Sequence, residues 1–324
     1  MTDDPLSKLA PLTGRINETM KAILDEDANV LGEIAVYNLL GGGKRLRPLI
    51  FCLAHGALGG LEDAETLRLA SAFEFLHMAS LMHDDIVDQA DTRRGRPAAH
   101  RVYGIPETVM AADYLLAKAS LLALAKENFA LARIMAEVVS NLSLGELWEL
   151  KARNKTDLTE AAYFDIILKK TAVLIESVSW SAGVLTGAEP DVLNSLRAYG
   201  RRLGLAFQVM DDVLDYRADT SKLGKPVGQD LEEGRITLPF IIARDTLNGS
   251  ERARLVSIGE KTDPTAGDKL EAGFLVEKAG GLQKSLAAAG RLIDQAVEDL
   301  GALPETPEKE LLAKLADYTV RRDR

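Results

Sequence analysis

One long helical run constrains this chain more than any other feature. From about Glu62 to Asp91 the apolar residues keep a helical period, with no glycine or proline and no strand-like alternation. Nearly thirty residues at 1.5 Å each make a rod of roughly 40 Å. Its apolar character ends abruptly at His83-Asp84-Asp85-Ile86-Val87-Asp88, and Arg93, Arg94 and Arg96 follow closely. Residues four apart share a helix face, so Asp84 and Asp88 point the same way, with Asp85 beside them. Like charges stacked at that spacing, next to an apolar run, need a counter-ion. A hard divalent cation such as Mg²⁺ takes oxygen ligands and is commonly held by one or two carboxylates plus substrate phosphates. Of the nearby arginines, Arg93 and Arg94 present forked donors suited to phosphate oxygens. Acid beside base therefore reads as a metal–diphosphate site.

A solvated helix end whose charges pair with one another would account for one such cluster. A second copy changes the odds. Gln208-Val209-Met210-Asp211-Asp212-Val213-Leu214-Asp215 repeats the spacing at the end of another apolar helix. Two clusters facing one cavity can hold several metal ions between them.

The rest of the chain is also helical in pattern. Helices are expected over 15–38 (as one or two), from Arg45 to Gly59-Gly60 with Pro48 in the first turn, and over 107–127, 129–151, 159–187, 190–217, 235–247, 250–259, 268–279, 280–300 and 307–322. Hydrophobic residues make up 47% of the 324 and aromatics only 5%, a mix rich in Ala and Leu that favours helices over sheets. The breaks are short and polar, and none looks like a linker. One all-α domain spanning 1–324 is expected, a bundle whose central helices are surrounded by others, with some apolar surface buried between two copies. A net charge of −10 argues against nucleic acid and anionic membrane surfaces as general partners. The lone Cys52, inside Leu49-Ile50-Phe51-Cys52-Leu53-Ala54, excludes an intramolecular disulfide and reads as a buried thiol. The acidic start Met1-Thr2-Asp3-Asp4-Pro5 carries no signal pattern, and no apolar stretch reaches the length of a membrane span. A cytoplasmic protein is the expectation.

In combination the motifs resemble the all-trans polyprenyl diphosphate synthases. They are Gly41-Gly42-Gly43-Lys44-Arg45-Leu46-Arg47-Pro48, the acidic and basic run at 83–97, Lys169-Lys170-Thr171-Ala172, Phe207 to Tyr216, and Gly224 to Pro239, in family order. The resemblance covers about residues 39–240. It implies an α-helical bundle of the isoprenoid synthase type around a deep apolar cavity, a homodimer, and Mg²⁺ dependence with three ions per active site. It also implies head-to-tail condensation of isopentenyl diphosphate onto an allylic diphosphate. Loss of diphosphate leaves an allylic cation, so negative charge builds on the leaving oxygens, where bridging metal ions stabilise it. On this basis Asp84, Asp88 and Asp211 are assigned as direct ligands, and Asp85, Asp212 and Asp215 as ligands or their supports. By the same resemblance Arg93, Lys170, Thr171, Gln208 and Lys225 meet the allylic diphosphate. Lys44, Arg47, His77 and Arg94 meet isopentenyl diphosphate, next to a triglycine that lets backbone N–H groups and a helix N-terminus approach an anion. Lys222, Gly224, Lys225 and Gly228 lie in a loop able to close over the site and exclude water.

Product length falls to the residues below the first cluster. Ser80, one turn below Asp84 on the same face, is small. Ala79 is small too, and its role as a floor is carried over from the family, since on an ideal helix it points about 140° away. One turn rises roughly 5.4 Å, comparable to an extended isoprene unit, so α-helical walls suit a tunnel for many units. A long-chain product of about six to ten units is favoured, the count coming from the resemblance and the spacing from helix rise. Geranylgeranyl or farnesyl diphosphate is the alternative. A terpene cyclase would not need Lys44 and Arg47 behind the triglycine, and a non-catalytic subunit would not need both aspartate clusters whole. Ala112, Glu149 and His100 depart from residues common in the family, without removing a proposed ligand.

Overall fold

The computed structural model describes residues 4–26, 29–125, 127–217 and 228–321. It opens with α1 (Pro5–Lys8), α2 (Ala10–Asp25), α3 (Val30–Leu39), α4 (Leu46–Ala57) and α5 (Ala64–Val87). A short hairpin of β1 (Thr92–Arg93) and β2 (Arg96–Pro97) leads to α6 (Ala99–Tyr103), α7 (Ile105–Leu124) and α8 (Phe129–Ala152). Next come α9 (Glu160–Ile167), a π-helical turn at Leu168–Ala172, α10 (Val173–Thr186) and α11 (Pro190–Arg217). The chain finishes with α12 (Gln229–Glu232), α13 (Leu238–Thr246), α14 (Gly249–Gly259), α15 (Ala266–Lys278), α16 (Gly281–Asp299) and α17 (Pro307–Arg321). The all-α expectation holds. It differs in detail: α2 begins earlier, with Pro11 in its first turn; the helix expected over 159–187 is interrupted; and neither the hairpin nor the short helices α1, α6 and α12 were foreseen.

Contacts group the chain into two compact units, each assembled from separate segments. Met1–Ser140, Leu174–Gly200 and Asp299–Leu315 form one, and Asn141–Val173, Arg201–Glu298 and Ala316–Arg324 the other. The absence of a linker, which suggested one domain, does not foretell this grouping, because neither unit is a continuous stretch of sequence.

In the first unit α5 is the central element. Asp63 caps it, its carboxylate accepting the Thr66 N–H at 2.7 Å, and Gln89 in the left-handed region (φ 53°) follows its end. Because α5 is apolar on nearly every face it is buried almost throughout. It packs chiefly on α7, then on α4 and α2. Both α5 and α7 are rich in fully buried alanines, among them Ala70, Ala72 and Ala79 on one and Ala111, Ala112 and Ala119 on the other, and small side chains let helix axes approach. Phe73 of α5 meets Phe51 of α4 with ring centroids 5.6 Å apart, a pair whose truncation to alanine costs about 3–5 kcal/mol.

In the second unit the π-turn is the local feature that matters. A Cβ on Gly145 of α8 would stand 2.4 Å from the Lys170 nitrogen, and one on Gly204 of α11 2.5 Å from the Ala172 Cα. Only glycine permits such close approach of backbones, and π-turns of this kind recur at functional positions. Among the described residues no helix is long and apolar enough to cross a membrane.

Candidate active site

Asp84 and Asp88 are half-buried at the C-terminal end of α5, and Asp85 between them is buried. That arrangement follows from helix geometry: residues four apart share the open face, and the next residue is turned about 100° toward the core. The Asp88 N–H closes the last turn on the Asp84 carbonyl. Helix C-termini carry partial negative charge, so carboxylates gathered there sharpen the demand for a cation. Asp85 has its own answer. Arg93 grips it with Nε at 2.9 and 3.2 Å from the two carboxylate oxygens and Nη2 at 2.6 Å.

The hairpin makes that grip possible. Arg93 pairs with Arg96 across it, and Arg94 and Gly95 both take positive φ, 53° and 74°, the pattern of a tight two-residue turn matched to strand twist. Arg93, Arg94 and Arg96 thereby reach one cleft of about 480 Å³, counting the part open to solvent, together with Gly41, Arg45 and His77. Arg94 donates to the Gly42 carbonyl. Arg96 lies over the Tyr37 ring at 4.3 Å, and Tyr37 donates to the Pro97 carbonyl at 2.9 Å. Burial, and then the charges of Arg47, Arg94, Arg93 and Arg45, hold the His77 imidazole well below its usual range. It is neutral at pH 7, a hydrogen-bonding group that adds no charge to a cationic wall.

Of the residues assigned to this second diphosphate, His77 and Arg94 line the cleft. Lys44 is exposed, and Arg47 is half-buried and acts on His77 through its charge. Arg45, Glu74, Arg96 and Tyr37 were missed. A polar residue three before His77 on an otherwise apolar helix was the available signal for Glu74.

The second cluster has the same burial pattern: Asp212 is buried, with Asp211 and Asp215 half-buried. Asp212 accepts from the Tyr163 hydroxyl at 2.6 Å and from Gln208 Nε2 at 2.8 Å. Burial pushes its carboxyl well above the usual range, and the charge of Asp230 pushes the same way. Asp215 accepts the backbone N–H groups of Gln229 and Asp230, at 3.1 and 3.2 Å, from the start of α12. Asp230 is itself buried and pushed up to about 7, against the pull of Arg235, whose Nε donates to it at 3.0 Å. Thr171 donates to Gln208 Oε1 at 2.8 Å. Lys170 is ion-paired with Glu146 at 2.9 Å and with Glu149. Lys222, Gly224 and Lys225 lie outside the described residues. Ala79 is fully buried, and the Ser80 hydroxyl is turned onto the His77 carbonyl of its own helix, at 2.9 Å.

Among the described residues no three His, Cys, Asp or Glu side chains stand together as a complete metal cage. Oxygen donors set four apart at a helix end fit Mg²⁺ all the same, since that ion keeps most of its octahedron for water and phosphate.

A family model described as polyprenyl synthetase matches residues 28–274. The chain is 35% identical to an octaprenyl diphosphate synthase of Escherichia coli (strain K12), over 98% of this chain and 99% of that one. It superposes on a decaprenyl diphosphate synthase from Rhodobacter capsulatus with a TM-score of 0.92 at 34% identity, covering 99% of both chains. A polyprenyl synthase from Caulobacter crescentus CB15, complexed with calcium and isoprenyl diphosphate, superposes with a TM-score of 0.90 at 34% identity, covering 99% and 98%.

Proposed function

This chain belongs to the polyprenyl synthetase family and is a trans-prenyltransferase, and on that premise we propose that isopentenyl diphosphate occupies the arginine-lined cleft while an allylic diphosphate is held at the carboxylates. One observation carries the reading: on α5 the carboxylates Asp84 and Asp88 stand about two and three turns above His77 and its cleft, so a metal-binding face and an anion-binding face share one rigid helix. Asp84 and Asp88 in the first unit, and Asp211 in the second, are each residues that would hold Mg²⁺, for which three ions are proposed; when bound, the metal supplies positive charge where the leaving diphosphate gathers negative charge.

The chain's own groups do the rest. The allylic C–O bond breaks, diphosphate leaves with the electron pair, and the double bond of isopentenyl diphosphate attacks the cation to form the new C–C bond. Arg93 neutralises Asp85, which would otherwise repel the leaving group. Arg94, Arg96 and neutral His77 fix the second substrate in line for attack. The proton lost at the end goes to the departing diphosphate.

A long-chain product is assigned from the small residues Ala79 and Ser80 and from the octaprenyl and decaprenyl synthases the chain resembles. A homodimer is supported by Met110, Leu121 and Leu124, each about half exposed on α7 at 51%, 60% and 49%, surface that association would cover. Incubation with labelled isopentenyl diphosphate, farnesyl diphosphate and Mg²⁺, followed by product sizing, tests the whole reading. Polyprenyl diphosphates of about six to ten isoprene units are expected, one helix turn of roughly 5.4 Å being comparable to one extended unit. No incorporation of label would refute it.

A further inference from the structure

Arg45 lies at the back of the cleft, only 5% exposed, in the left-handed region (φ 52°) at the cap of α4. Its guanidinium is spent on the protein. Nε donates to Asn17 Oδ1 of α2 at 2.8 Å, Nη2 to the Leu39 carbonyl at 2.8 Å, and Nη1 to the Gly42 carbonyl and to Glu74 Oε1, both at 3.2 Å. Glu74 is 3% exposed, and its second oxygen, Oε2, has no hydrogen-bond partner. A carboxylate at the wall of an anion site repels the ligand unless a cation cancels it. Gly43 is wedged between two guanidiniums: a Cβ there would stand 2.9 Å from Nη1 of Arg45 and of Arg94 alike.

We infer that Arg45 is the positioning residue of the isopentenyl diphosphate cleft: it ties the Gly41–Gly43 turn to α2 and α5 and cancels Glu74, without itself touching the substrate. The inference rests on the cleft being that substrate's site. Lysine cannot replace it, because one ammonium cannot bridge two carbonyls, a carboxylate and an amide set in a planar fork. The turn would then relax, and the groups it presents to the diphosphate would lose their register.

The test compares Arg45→Lys, Asn17→Ala and Arg94→Ala by steady-state kinetics for both substrates, with thermal melts and far-ultraviolet dichroism. Arg45→Lys should raise KM for isopentenyl diphosphate about tenfold and Asn17→Ala about threefold, as expected for lost charge-assisted hydrogen bonds. The allylic KM and kcat should move by less than about twofold, equivalent to under about 0.4 kcal/mol. If Arg94→Ala leaves the isopentenyl diphosphate KM unchanged, the cleft is not that site and the reading beneath the inference falls. If Arg94→Ala raises it while the other two variants leave it alone, or move both KM values equally along with the melt, Arg45 is only structural and the inference is overturned. Should Arg45→Lys fail to fold, Asn17→Ala decides alone: a selective rise supports the role and an unchanged KM rejects it.

Discussion

Around His77 and Asp85 the neighbouring charges are guanidiniums, whereas around Asp212 and Asp215 the described neighbours are mostly carboxylates. Arg45, Arg47, Arg93 and Arg94 all bear on His77 and lower its affinity for a proton. Asp212, Asp215, Asp230, Tyr163 and Tyr216 all shift the other way, with burial first among the causes for each. One motif has thus been set in two opposite fields. The first region sets an anion cleft beside its metal-binding carboxylates, with the inner carboxylate already neutralised by Arg93. The second is prepared for a cation, with its inner carboxylate held by the uncharged groups Tyr163 and Gln208.

The largest effect should come from the half-buried carboxylates, where the two regions are expected to agree. Asp84→Ala and Asp211→Ala should each lower Mg²⁺-dependent turnover by at least about 10²–10³-fold, as loss of charge stabilisation at a leaving group does, with helicity unchanged by circular dichroism. Near-normal turnover in either variant would remove that cluster from the metal reading.

The inner carboxylates should part company. Asp85→Asn breaks a bidentate pair with Arg93 and should cost about 1.5–3 kcal/mol of stability and raise the allylic KM. Asp212→Asn replaces a carboxyl already biased toward its neutral form, and the Tyr163 hydroxyl can turn to accept from the new amide. It should cost under about 1 kcal/mol in thermal melts of the metal-free protein. Equal losses in the two variants would mean that the contrast in surroundings has no energetic content.

That contrast shows what the sequence conveys and what it withholds. Spacing along one helix was enough to place Asp84 with Asp88 and Asp211 with Asp215, since a helix fixes which residues share a face. It did not show who answers the inner carboxylate. Tyr163 comes from α9, forty-nine residues before Asp212, and no local pattern ties the two together. The arginines after the first cluster were legible as phosphate donors, but the turn at Arg94-Gly95 that aims them depends on positive φ at a non-glycine residue. Lys170 read as a phosphate contact; its pairing with Glu146 and Glu149 depends on the interrupted helix, and hence on how little room Gly145 leaves. The order of the longer helices was readable from periodicity; the short helices α1, α6 and α12 were not. Arg45 was passed over because, flanked by Lys44 and Arg47, nothing in its type marks it as the buried one.

Opposite fields imply opposite responses to pH, of smaller size. Asp230 is raised to about 7 in the fold against roughly 3.9 unfolded. As pH climbs through that window the unfolded chain ionises first, so this group's contribution to stability is present at low pH and fades toward neutrality. Asp230→Asn abolishes the titration. The melting temperature of the variant minus that of the wild type, without metal, should therefore be more favourable at pH 8 than at pH 5. A difference independent of pH would place an ionised Asp230 in the fold at both.

His77 should show the reverse. Its folded pKa is depressed, so below the ordinary value of roughly 6.5 the unfolded chain gains a proton that the fold refuses, and stability is lost as pH falls. Its ring resonances should stay those of a neutral imidazole from pH 8 down through pH 6. Filling the cleft ought to change this. An anion among Arg93, Arg94 and Arg96 cancels the charges that drive the proton away, leaving burial as the main remaining cause. A non-reactive analogue of isopentenyl diphosphate should then move the His77 titration upward, while an allylic analogue added alone leaves it in place. If both analogues shift it alike, the guanidiniums around His77 serve both diphosphates, and the separation between a metal face and an anion face on α5 is lost.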